Sequence, residues 1–130
     1  MRTELKAEVE IQVAFHDVDA MHYVWHGHYY KYFEVVRTKL FQSIDYDVLQ
    51  MKASGYSWPI IETSCKYVQP MLYNQLIQVS AKIQEYENRL KIIYRISDAK
   101  TDEKLATGHT TQVAVDMKNN ECVLCHPRFC

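Results

Sequence analysis

Asp17 and Asp19, with His16, His22, His26 and His28, fall in one short stretch: Phe15-His16-Asp17-Val18-Asp19-Ala20-Met21-His22-Tyr23-Val24-Trp25-His26-Gly27-His28-Tyr29-Tyr30. Four of the chain's six histidines are concentrated there. A loop carboxylate can attack a carbonyl carbon or take a proton from water, and an imidazole near its ordinary pKa can carry that proton. A helix starting at the end of such a loop adds unpaired amides and the positive end of its dipole, both suited to a developing oxyanion. Together these residues point to chemistry on an oxyanion or acyl group.

A strand and a helix must hold this loop. Val9, Ile11, Val13 and Phe15 alternate with Glu10, Gln12 and Ala14, which predicts a half-buried strand running up to the loop. From His28 to Ser43 the apolar spacing turns helical, with Tyr29, Phe33, Val36 and Leu40 in line, Tyr32 and Phe41 beside them, and Lys31, Glu34 and Lys39 off the stripe. A shorter helix is expected from Asp45, a good N-cap type, to Ser54, stopping at Gly55.

Beyond Pro59 the period becomes two. Ile61, Thr63, Cys65 and Tyr67 define one strand, Ile77, Val79, Ala81 and Ile83 a second, and Leu90, Ile92, Tyr94 and Ile96 a third. Asn88 suits the hairpin between the last two, because Asn tolerates left-handed backbone. A turn over Asp98 to Glu103 leads to a long strand, Leu105 to Asp116, where Gly108 marks a bulge or a close approach of another group. One helix among antiparallel strands is an α+β domain with the helix lying across the sheet.

With 130 residues, three glycines and three prolines, the chain reads as a single domain, residues 1–130, dense in regular structure. A formal net charge of −1 with mixed signs provides no basic face for nucleic acid. The polar run Met1 to Glu10 and the lack of a long apolar run lead to the expectation of a cytoplasmic protein without a membrane partner, and of free thiols at Cys65, Cys122, Cys125 and Cys130.

The run Asp17-Val18-Asp19-Ala20-Met21-His22-Tyr23-Val24-Trp25-His26-Gly27-His28-Tyr29-Tyr30-Lys31-Tyr32-Phe33-Glu34, followed by Arg37, resembles the signature of hotdog-fold acyl-CoA thioesterases of the 4-hydroxybenzoyl-CoA thioesterase and YbgC-like type. Lys66-Tyr67-Val68-Gln69-Pro70 and Ala106-Thr107-Gly108-His109-Thr110-Thr111 resemble later motifs of the same family. The resemblance implies a hotdog fold, a five-stranded antiparallel sheet wrapped around one long helix. It also implies a homodimer or homotetramer with active sites between subunits, and hydrolysis of acyl-CoA without a cofactor, coenzyme A being part of the substrate.

Asp19 matches the family's catalytic carboxylate, as nucleophile or general base, while Asp17 is expected to shape the loop. A loop or cap role is the alternative for Asp19. His26 stands where YbgC-like members carry a His, and reads as a hydrogen-bond donor or proton carrier, or as a plain helix cap. His22 replaces the family's usual Gly and either narrows the substrate site or points to solvent. Trp25 and Tyr29 are candidates to line an acyl pocket, with core or dimer contacts as the alternative. Glu34 and Arg37 are spaced to pair on the helix. Lys66, Lys82, Arg89, Lys91 and Arg95 are candidates for the phosphates of coenzyme A, and His109 reads as a buried, hydrogen-bonded structural residue.

Two metal readings compete. His22, His26, His28 and Asp19 could bind a divalent ion, and Cys122-Val123-Leu124-Cys125-His126, with Cys130 beyond it, has haem- or zinc-like spacing. The plainer readings are a metal-free loop and a thiol-rich final segment packed at a sheet edge. Within the resemblance, a non-hydrolytic acyl-CoA binder and a thioesterase acting on acyl carrier protein are the other possibilities.

Overall fold

A computed structural model describes residues 5–44, 55–86, 89–118 and 121–122. Strand β1 (Lys6–Gln12) is followed by a 3-10 turn (Phe15–Asp17) and helix α1 (His28–Ser43). Then come β2 (Tyr56–Ser57), β3 (Ile60–Tyr67), β4 (Leu76–Glu85), β5 (Leu90–Asp98), β6 (Lys104–Gln112), β7 (Val115–Asp116) and β8 (Glu121–Cys122). The main sheet has five strands in the order β1-β4-β5-β6-β3, antiparallel throughout. This is the α+β hotdog arrangement expected from the sequence.

Helix α1 keeps the bounds its spacing predicts, because Tyr29, Tyr32, Phe33, Val36, Leu40 and Phe41 form one buried stripe. They pack on Ile77, Val79, Ala81, Ile92, Tyr94 and Ile96, whose alternation turns them toward the helix. Truncating a fully buried residue such as Leu40 to Ala should cost roughly 2–5 kcal/mol. Gly108 is indeed a point of close approach: a Cβ built on it would lie 2.6 Å from both Phe33 Cε2 and the Ser64 carbonyl oxygen. The helix can settle on the sheet there because Gly108 offers no side chain.

Two expected strands are shorter than their patterns. The first ends at Gln12, and Phe15, 70% exposed, starts the 3-10 turn with its ring edge-on to Tyr73 at 5.6 Å. The last main-sheet strand ends at Gln112, whose Nε2 donates to the Trp58 carbonyl at 2.7 Å. Val115 and Asp116 instead pair with β2 and β8 in a second, three-stranded sheet that the sequence did not announce. Cys122 stands opposite Val115 in that sheet. The proposed Asp45–Ser54 helix, Asn88, Cys125, His126 and Cys130 lie outside the described residues. No helix among the described residues is long and apolar enough to cross a membrane.

Candidate active site

The loop between β1 and α1 is a small hairpin of its own. Val18 bridges Val24, Asp19 N–H donates to the Tyr23 carbonyl at 2.8 Å, and His22 N–H donates to the Asp19 carbonyl at 2.9 Å. Asp19 Oδ1 accepts from the Met21 amide at 2.8 Å and the Tyr23 amide at 3.4 Å. Its other oxygen has no described partner, and the side chain is exposed. One carboxylate oxygen is therefore anchored while the other is open to a reactant. His22 completes the turn with φ +66°, the left-handed conformation that glycine would supply, and its side chain is exposed.

Asp17 serves the loop differently. It is buried; Lys31 Nζ donates to Oδ1, and Tyr32 Oη donates to Oδ2 at 2.8 Å. Burial pushes the carboxyl pKa up, but the hydrogen bonds from Lys31 and Tyr32, with the charges of Lys31 and His28, outweigh it and hold the pKa below its usual value. Its backbone carbonyl also accepts from the Trp25 amide at 3.0 Å, tying the loop's return to its start.

The helix begins without a side-chain cap. Gly27 is the N-cap and makes no capping bond, and no described hydrogen bond uses the amides of His26 or Gly27. The Trp25 ring lies over Gly27 so closely that any Cβ there would collide with it. A cavity of about 290 Å³ opens beside this start, lined by Val24, His26, Tyr29, Tyr67, Val68, Gln69 and Pro70. Tyr67 Oη donates to the His26 carbonyl at 2.9 Å, and its ring meets Tyr29 edge-on at 4.6 Å. Burial, then the neighbouring Cys65, pushes the Tyr67 phenol up to about 12, so it remains a proton donor at neutral pH.

The structure thus brings His26 and Tyr29 together at one cavity, with Trp25 against the His26 ring at 4.9 Å. Asp19 and His22 sit on the adjoining hairpin and do not line that cavity. Sequence reasoning assigned no site role to Tyr67, Val68, Gln69 or Pro70, although the Lys-Tyr-x-x-Pro motif contains all four. Glu34 and Arg37 form no ion pair among the described residues; both line a smaller cavity of about 160 Å³ with Tyr30, Phe33, Ile60, Thr63 and Thr110. His109 is hydrogen-bonded as expected, but it lies on the outer sheet face with 23% of its side chain exposed. Among the described residues, no three His, Cys, Asp or Glu side chains gather to hold a metal, so His22, His26, His28 and Asp19 do not converge.

Residues 13–129 match the model of the thioesterase-like superfamily. The chain belongs to that superfamily. Its activity class is thioester hydrolysis. A relative from Aquifex aeolicus (strain VF5), provisionally named an esterase, is 26% identical over 112 residues, covering 86% of this chain and 85% of the relative. The provisionally named acyl-CoA thioesterase YneP of Bacillus subtilis (strain 168) is 29% identical over 85 residues, covering 65% of this chain and 61% of that protein. In fold, the chain is similar to Slr0204, a 1,4-dihydroxy-2-naphthoyl-CoA thioesterase from Synechocystis, with a TM-score of 0.83 at 19% identity over 92% of this chain and 88% of that one.

Proposed function

We propose that this superfamily member hydrolyses acyl-CoA thioesters to the free acid and coenzyme A. The observation that carries this reading is the uncapped start of α1 beside an aromatic-lined cavity, on the same loop as a carboxylate with one oxygen held and one open. A thioester carbonyl seated at the helix start would receive the amides of His26 and Gly27, where the helix dipole adds to their effect. Asp19 then attacks the carbonyl carbon or deprotonates a water molecule, and the coenzyme A thiolate leaves. His26 orients the reactants or carries the proton, and Trp25, Tyr29 and His22 flank the acyl group.

The protein acts as a cytoplasmic homodimer or homotetramer, with sites completed between subunits. Two observations favour this assembly. Among the described residues no further strand pairs with β1 or β3 at the ends of the five-stranded sheet, and Phe15, Met21, Tyr23, Trp25, Leu72 and Tyr73 leave apolar surface exposed around the loop.

The test is thiol release from short, long and aromatic acyl-CoA thioesters, and from acyl carrier protein, by the native chain and by Asp19→Asn. Turnover should fall by ~10²–10⁴-fold in the variant with folding unchanged. Turnover that survives in Asp19→Asn removes this carboxylate from the chemistry. Ligand binding with no turnover of any substrate replaces hydrolysis with acyl binding.

A further inference from the structure

Away from this loop, the outer face of the sheet carries three side chains joined in a line. Ser64 Oγ lies 2.7 Å from His109 Nδ1, and His109 Nε2 lies 2.8 Å from Glu62 Oε1. Strand register places them so: Ser64 is directly opposite His109 in the β3–β6 pair, and Glu62 precedes Ser64 by two residues on the same face. The Thr63 hydroxyl adds a bond to the His109 carbonyl at 3.1 Å, fixing the backbone beneath the ring.

The proton positions follow from the partners. An ionised carboxylate only accepts, so the ring proton belongs on Nε2, facing Glu62, and Nδ1 keeps its lone pair for the Ser64 hydroxyl. The hydrogen bond from His109 lowers the Glu62 pKa, desolvation opposes it less strongly, and the charges of Arg89 and Lys91 add to the lowering, which favours the ionised carboxylate. The result is a hydroxyl, an imidazole and a carboxylate in series, the order of a charge-assisted nucleophile.

This line opens onto a groove of about 450 Å³ lined by Ser64, Lys66, Lys91, Arg95, Thr107 and His109 among others. Lys66 follows Ser64 by two residues on the same face. Lys66 and Lys91 bring ammonium groups to the wall, where a negative oxygen would be held. Addition of a strand at the β3 edge extends the sheet in its own plane and leaves this face open.

We propose that Ser64, His109 and Glu62 form a second acyl-transfer site, separate from the Asp19 loop, which acts on small carboxylic esters reaching the outer sheet face. Ser64 Oγ bonds to the carbonyl carbon while its proton passes to His109 Nδ1, and Glu62 holds the imidazolium through Nε2. The ester C–O bond then breaks and His109 returns the proton to the leaving alcohol. Water repeats the sequence on the acyl-serine to release the acid and restore the hydroxyl.

The experiment incubates the full chain with an alkyl fluorophosphonate and locates the product by peptide mass spectrometry. In this probe reaction the Ser64 Oγ–P bond forms as P–F breaks, fluoride leaves, and the hydroxyl proton passes to His109. Labelling is expected at Ser64, absent in Ser64→Ala, slowed ~100-fold in His109→Gln and more mildly in Glu62→Gln. Thermal midpoints check that each variant is folded. The proposal is overturned if the folded chain takes no label at Ser64, or if His109→Gln labels at the native rate; either result would make the three side chains a surface hydrogen-bond ladder.

Discussion

The ring of Phe33 stands over Gly108 and stacks on Tyr94, with ring centroids 4.5 Å apart and planes 11° from parallel. Gly108 is the register partner of Tyr94 in β5 and of Cys65 in β3, so one missing side chain lets the helix touch two strands at once. Gly108→Ala should therefore destabilise by about 1–3 kcal/mol, the usual cost of overpacking. Phe33→Leu should recover only part of this loss, because the Ser64 carbonyl also blocks the new methyl group. Urea unfolding of both singles and the double checks it. Full additivity would show that the ring is not the obstacle.

The helix was legible because each apolar residue of its stripe meets the same sheet, so packing and period agree. The 3-10 turn was not. Phe15 continues the alternation of β1 by residue type, yet its place is decided by Tyr73, far away in sequence. The Lys-Tyr-x-x-Pro motif was visible, but the place of Tyr67 at the cavity depends on its bond to the His26 carbonyl. The Ser64–His109–Glu62 line required the pairing of β3 with β6, which alternation alone does not specify.

His22 tests the turn that carries Asp19. At φ +66° a side chain is strained, whereas glycine is not, although glycine loses more freedom on folding. His22→Gly should leave stability unchanged or raise it by up to ~1 kcal/mol, while the β-branched His22→Val should lower it by ~1–2 kcal/mol. Thermal unfolding of the pair reads the difference. Equal losses in both would mean that the imidazole, rather than the backbone, holds the turn.

Asp17→Asn keeps the shape of the side chain but removes the charge that Lys31 and Tyr32 address. A loss of about 1–2 kcal/mol is expected, since charge-assisted hydrogen bonds contribute more than neutral ones. The depressed pKa gives the sign of the pH effect: the contribution is present above the unfolded-state value near 4 and disappears as pH falls through the folded value. Chemical denaturation at pH 7 and at pH 3 should show the gap between native and variant narrowing at the lower pH.

Asp98 offers an independent acid-sensitive point. The side chain of Gln75 and the amides of Thr101 and Lys100 hold its carboxyl down to about 2 from an ordinary 3.8. The turn into β6 should therefore keep its form at pH 4 and loosen as pH drops toward 2, the folded value lying below the unfolded one. Amide exchange at Lys100 and Thr101 follows the change. Protection that is unaltered in Asp98→Asn would show that the turn does not depend on the carboxylate.

Tyr67→Phe separates the cavity wall from the chemistry. The ring and its edge-on contact with Tyr29 are retained, and the hydroxyl's hydrogen bonds to the His26 carbonyl and with Cys65 are lost. That carbonyl belongs to the residue just before the Gly27 cap, so its freedom becomes the freedom of the amides proposed to receive the oxyanion. A bond worth ~1 kcal/mol, felt only in the transition state, corresponds to a drop in kcat of about fivefold with KM little changed. Steady-state kinetics on the best acyl-CoA of the panel make the measurement. A rise in KM at constant kcat would instead place Tyr67 in substrate binding, with the helix start indifferent to its hydroxyl.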